Sequence, residues 1–296
     1  MKFVSELSSE ALICAELKVK DYKELIKCLY EDKPNKIIFI ETICEIFSKI
    51  TNRTLDYFKN LNIVDLFYLL LDVRVNSQGE VCKTIITKEN KKMNLDLRLD
   101  YIRDDIKLNF GSTLIVKQNN IQIVLDYPSV QRLLQEKTED YLYFIKGVFT
   151  DSFSKKFIEI KNNKEANLLF EKIPPKLSLE IINNINLLIE RTNNTNFLLR
   201  YGIKDQKLTF APSLDSLIWF AKLIFSEDLE TFYNNIFHLS HLGHMSSEYI
   251  ENSAVGEYIY FVNCLKNTLT TNETVDNNMV DENITDEEAG LSDESI

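Results

Sequence analysis

Glycine and proline are scarce here: 296 residues hold only 7 Gly and 5 Pro. That scarcity excludes collagen-like and low-complexity classes, and together with 45% hydrophobic residues it predicts a globular, helix-rich chain. Long apolar runs are missing as well. Stretches such as IVDLFYLLL (63–71) fall far short of the roughly 20 residues a membrane-crossing helix needs, so a soluble protein without a membrane partner is expected. The five cysteines, Cys14, Cys28, Cys44, Cys82 and Cys264, are odd in number and include no C-x-x-C pair. No leader pattern precedes them, and they are expected to be reduced, mostly buried thiols in a cytoplasm.

Excess positive charge is also lacking. The net charge is −11, and residues 272–296 carry nine acids (Glu273, Asp276, Asp281, Glu282, Asp286, Glu287, Glu288, Asp293 and Glu294) without one Lys or Arg. Subtracting those nine negative charges from −11 leaves −2, so the body of the chain is almost neutral. Neither part offers the positive field that nucleic-acid backbone or anionic lipid attracts, and nucleic acid is not expected as a partner. The acidic end has too little apolar content to offset the entropy of ordering it, which predicts a disordered tail over 271–296.

Cofactor signatures are missing too. There is no P-loop, no dinucleotide-binding glycine pattern and no H-E-x-x-H, so no cofactor is expected and any enzyme would have to assemble its site through the fold alone.

What is present is a strong alternation of periods. Apolar residues at helical spacing predict helices over 19–32, 35–50 and 62–75, the second and third apolar on nearly every face and hence central. These make an N-terminal helical unit, 1–77. The period then becomes two, predicting strands over 80–87, 92–102, 106–116 and 120–128. In NLDLRLDYI (94–102), Leu95, Leu97, Leu99 and Tyr101 alternate with charged residues, as in a sheet with one wet face. An antiparallel β-meander insert is therefore expected over 78–127. Helices resume over 129–137, 140–149, 163–173, 174–191, 213–226, 227–240 and 254–267, giving a C-terminal helical region, 128–270. The expected class is α+β, mostly helical, with two helical units flanking the β insert.

All three histidines, His238, His241 and His244, fall within FHLSHLGHMSSEY (237–249). On a helix such positions fan over about 120° and climb roughly 9 Å, too far for one ion unless the helix breaks. Gly243 could end it in a left-handed cap, turning His244 back towards Glu248 or Glu251 as an oxygen ligand. The simpler account places His238 and His241 in the last turn of a helix, near its carbonyl end, with Ser246 or Ser247 capping the next helix. No metal site is assigned on this pattern. The acid pairs Asp104–Asp105 and Glu227–Asp228 are placed in a hairpin and at a helix start, respectively, and Cys82 on a half-buried strand without a nucleophile's signature. No catalytic residue is assigned and the chain is not expected to be an enzyme.

Aromatic residues are concentrated late in the chain. Trp219, Phe220, Phe225, Phe232, Tyr233 and Phe237 span two adjacent predicted helices. Rings beyond what one small core absorbs serve as anchors for another protein, which makes Trp219, Phe225, Phe232, Tyr233 and Phe237 the partner-contact candidates.

Three segments together carry a family likeness: ELKVKDYKELIKCL (16–29), LFYLLLDVRVNSQGE (66–80) with IQIVLDYPSV (121–130) beyond it, and LDSLIWFAKLIFSEDLETFYNNIFHLSHLGHMSSEYIENSAVGEYIYFVNCLK (214–266). They resemble the baseplate hub proteins of T-even-type contractile-tailed phages. There, an extended start leads into a helix opened by a similar D-Y-K-x-L, a helix ends in an arginine-containing turn before a small β insert, and an aromatic helix pair precedes a histidine-bearing turn. In those proteins the insert often carries cysteine pairs resembling a zinc ribbon. Here it keeps only Cys82, so no ribbon can close and strand pairing must hold it. The resemblance implies a non-enzymatic hub component or hub-assembly factor whose partners are other baseplate and tail hub proteins, working in the host cytoplasm during assembly. Two rivals are carried beside it: a metal-dependent hydrolase using the histidine cluster with Glu248, and a cellular helical adaptor.

Overall fold

A computed structural model describes residues 2–30, 35–88, 91–107, 113–118, 120–135, 141–149, 156–193, 212–225 and 227–281. The chain starts as an antiparallel ribbon of β1 (Lys2–Glu6) and β2 (Ala11–Ala15), with Phe3 opposite Cys14 and Ser5 opposite Leu12. The period of two sorts its side chains. Leu12 and Cys14 are buried while Ile13 between them is exposed.

Four helices follow: α1 (Val19–Tyr30), α2 (Lys36–Thr51), α3 (Leu55–Asn60) and α4 (Ile63–Gln78). Short polar side chains open three of them. Asn35 Oδ1 accepts from Ile37 N at 2.9 Å, Thr54 Oγ1 from Tyr57 N at 3.3 Å, and Asn62 Oδ1 from Asp65 N at 2.8 Å, each satisfying an otherwise orphaned N–H. α2 ends at Asn52, which takes up left-handed backbone at φ 60°. α4 is the central post. Every residue from Ile63 to Arg74 is buried, as its all-round apolar character predicts, and β1, α5 (Leu99–Lys107), α9 (Leu214–Ile224) and α12 (Val255–Asp281) pack around it.

The strands that follow belong to two separate sheets rather than one meander. Among the described residues β3 (Val81–Lys88) pairs only with β4 (Lys91–Arg98), in register from Val81 opposite Arg98 to Lys88 opposite Lys91. β5 (Leu114–Gln118) and β6 (Ile121–Leu125) continue into β7 (Ile145–Phe149) and β8 (Phe157–Glu159), giving a four-stranded antiparallel sheet in the order β5-β6-β7-β8. Between the sheets, Leu99–Lys107 is helical, where alternation predicts strand. Leu99, Ile102 and Ile106 lie three and four residues apart and are all buried, so the helical stripe outweighs the alternation that ends at Tyr101.

The segment expected as a helix over 140–149 is a 3-10 turn, Tyr141–Phe144, followed by β7. β7 crosses close to β8 at Gly147, where a Cβ would stand 2.3 Å from the Phe157 ring and 2.6 Å from Ile158 O. Only the missing side chain permits that approach.

Five further helices complete the described fold: α6 (Val130–Gln135), α7 (Asn163–Phe170), α8 (Pro175–Asn193), α10 (Leu229–His241) and α11 (Ser247–Asn252). α12 continues to Asp281, well into the segment expected as an acidic tail, and residues 282–296 lie outside the described ones. The class is as expected, α+β and mostly helical with small antiparallel sheets. One hydrophobic cluster runs from Leu7 through the sheets to Val262. Among the described residues no helix is long and apolar enough to cross a membrane.

Two buried arginines tie distant segments. Arg74 Nε donates to Ile224 O at 2.6 Å and Nη1 to Gly79 O at 2.9 Å, joining the end of α4 to the end of α9. Arg132 Nη1 donates to Ile145 O at 2.7 Å and Nη2 to Leu142 O at 3.1 Å, holding α6 against β7. In both, one planar guanidinium serves two carbonyls at once.

Candidate functional site

The histidine segment forms a helix end. α10 stops at His241, and Leu242 N and Gly243 N both return to His238 O, at 2.9 and 3.3 Å. The left-handed residue is His244, at φ 53°, and not Gly243 as expected. Gly243 serves a different need: a Cβ there would stand 2.7 Å from Leu239 O. His241 stacks on the Phe237 ring, with centroids 5.0 Å apart and planes 17° apart. Ser246 caps α11, its Oγ accepting from Tyr249 N at 3.2 Å, and exposed Glu248 sits in that helix's first turn, where it complements the dipole. Glu251 pairs with Lys23 at 2.7 Å. Among the described residues no group of three or more His, Cys, Asp or Glu is placed to hold a metal ion, and His238, His241, His244 and Glu248 lie along the junction between α10 and α11.

The partner-contact candidates divide by burial. Trp219, Tyr233 and Phe237 are 47%, 43% and 58% exposed, whereas Phe225 and Phe232 are fully buried. Phe225 and Phe232 are therefore core residues, and no partner can reach them without unfolding the chain. Both pack on Tyr22, with ring centroids 6.0 and 5.9 Å away, and Phe232 also meets Tyr258 at 5.6 Å. On α10 the division follows phase: Phe232, Asn235 and Leu239 turn inward, while Tyr233, Phe237 and His241 follow the opposite side. Tyr249 of α11 and Tyr260 of α12, 48% and 64% exposed, add two rings that composition alone did not mark out.

Glu227 and Asp228 have separate roles. Asp228 caps α10, accepting from Thr231 N at 2.7 Å. Glu227 turns inward, where its carboxylate accepts from Asn235 Nδ2 at 2.9 Å and from the Tyr258 hydroxyl at 3.1 Å. Burial raises its pKa, and the hydrogen bonds from Asn235, Tyr258 and Tyr22 act against that rise. Glu227 thus fastens α10 and α12 to α1. Asp104 lies in α5 rather than in a hairpin, and Cys82, fully buried, donates its thiol to Leu223 O at 3.3 Å. The exposed cysteine is Cys264.

A polar cleft of about 710 Å³ opens where the β1–β2 turn, the α3–α4 link, the β6–α6 link and the β8–α7 link converge. Asp65 on its wall accepts from Ser8 Oγ at 2.6 Å and from Asn62 Nδ2 at 2.7 Å, and Lys146 pairs with Asp126 at 2.8 Å. The Asp65 carboxylate and the Arg132 guanidinium, both on its wall, hold neutral groups of neighbouring segments together.

Comparison with known proteins places the chain. Searches of curated proteins and of solved structures returned no match. A family model described as T4 bacteriophage base plate protein matches residues 1–197, from the β1–β2 ribbon past the end of α8. That span takes in the segments 16–29, 66–80 and 121–130 and stops before 214–266. The central post, both arginine ties on the α4 and α6 side and the polar cleft all lie within it, and on that match the chain belongs to the T4 bacteriophage base plate protein family.

Proposed function

We propose that this chain is a component of the central hub of a phage baseplate, or a factor that assembles it, and that it works by contact with other hub and tail proteins. The observation that supports this most directly is the family match over 1–197, combined with exposed rings on α9–α12. In this reading no bond is made or broken at any site of its own. The place of action is the host cytoplasm during assembly, and for a component also the tail baseplate.

Mass spectrometry of purified particles and of baseplate intermediates from infected cells tests this. A component is found in both at a fixed ratio to the other hub subunits. An assembly factor is found in the intermediates alone. Complete, infective baseplates from a phage lacking the open reading frame would refute both forms, and tail proteins missing from its co-purified partners would favour the adaptor.

A further inference from the structure

We infer that the outer face of α10–α12 docks a lysine- and arginine-rich surface of another protein. This rests on the docking reading above and adds the chemistry of the partner. Four exposed rings, Tyr233, Phe237, Tyr249 and Tyr260, are spread over these three helices. Rings alone fit many partners, but the charge around them is one-sided. Residues 223–265 contain no Lys or Arg, and Glu230, Glu248 and Glu257 stand exposed among the rings. The hydroxyl of Tyr249 donates to Glu257 Oε1 at 2.9 Å, so a ring and a carboxylate are already held side by side.

Nearby cations offset only part of this charge. On α1, Lys23 is taken by Glu251 at 2.7 Å and Lys27 by Glu24 at 2.9 Å, Lys20 lies 3.4 Å from the neutral amide of Asn252, and Lys266 is the one Lys or Arg within α10–α12. Aromatic faces attract guanidinium and ammonium groups, carboxylates pair with them, and an acidic partner would be repelled. The surface therefore selects a basic one.

A photo-crosslinking residue placed at position 237 or 260, with position 13 on the β1–β2 ribbon as reference, tests this in infected cells. The captured peptide should carry net positive charge, and capture should fall at least tenfold in the E230K/E257K double variant, assayed below its own melting temperature because both acids sit in first turns and their reversal also lowers stability. A captured stretch that is neutral or acidic, capture unaltered by E230K/E257K, or no capture at 237 and 260 would each overturn the inference. Capture at position 13 alone leaves the chain a baseplate protein and removes only the charge chemistry. Absence of capture at all three positions, with the chain missing from baseplates, removes the docking reading as well.

Discussion

Ser8 gives both its backbone N–H and its hydroxyl to the carboxylate of Asp65, at 2.9 and 2.6 Å, across 57 residues of sequence. One helical side chain thereby fixes the turn of the N-terminal ribbon. Seven residues further along α4, Asp72 does the same for the strand, accepting from Ser5 Oγ at 2.7 Å. The two acids lie on one side of α4, two turns apart, and pin the ribbon at two points.

Replacing Asp65 with Ala leaves the Ser8 donors and Asn62 Nδ2 without their acceptor. A loss of about 1–3 kcal/mol is expected. Urea unfolding should show it as a lowered midpoint with an unchanged slope, and an unmoved midpoint would mean that the ribbon is held by its apolar face alone.

Asp72 carries a pH signature. Burial pushes its carboxyl from 3.8 up to about 6, against the pull of the Ser5 hydrogen bond and of Arg103. The folded state therefore holds this proton more tightly than the unfolded chain. The stability it contributes is fully present below pH 3.8 and is lost as pH rises through about 6. Asp72→Asn stays neutral throughout, so the variant should gain on the native chain across that window, by up to about 3 kcal/mol. Unfolding measured in parallel at pH 4 and pH 7.5 checks it; a constant difference between the two chains would contradict the assignment.

Phe232→Ala and Phe237→Ser separate core from surface on the same helix. The first empties a fully buried site and should cost about 3–5 kcal/mol. The second removes an exposed ring and should change stability by less than about 0.5 kcal/mol. Equal losses in thermal melting would mean that Phe237 is covered within the folded chain.

Arg74→Met should remove the donors to Ile224 O and Gly79 O, costing about 1–3 kcal/mol. Arg74→Lys keeps the charge but lacks the planar fork that serves both carbonyls, so it should recover only part of that. Hydrogen exchange should quicken in α9 more than in α2; uniform change would point to global destabilisation instead.

Much of this fold is legible in the chain. α1, α2, α4, α8 and α10 follow from apolar spacing, and their start points from Asn35, Asn62 and Asp228, because local stripes and caps encode such elements without help from distant residues. The short elements were harder. Residues 99–107 support alternation and a helical stripe at once, and the contact of Leu99, Ile102 and Ile106 with the rest of the core decides between them. At 145–149 pairing with β6, a strand inside the expected insert, overrides the helical pattern.

The docking surface was half legible. Aromatic enrichment found the region, but composition does not separate Phe232 from Phe237. The phase did carry that signal, since Phe232 shares its stripe with Leu239 while Phe237 shares one with Tyr233 and His241. Glu227 gave no signal at all. Its partners Tyr22 and Tyr258 come from opposite ends of the chain, and nothing near residue 227 announces them.

The relation between α4 and α9 reaches beyond the matched span. Phe67 lies against Phe220, ring centroids 5.4 Å apart, and the Arg74 guanidinium ends on a carbonyl of α9, which lies past residue 197, where the family match stops. Cutting this chain at 197 would bare an oily flank and a dry cation to water. The matched span therefore leans for its shelter on helices that come after it.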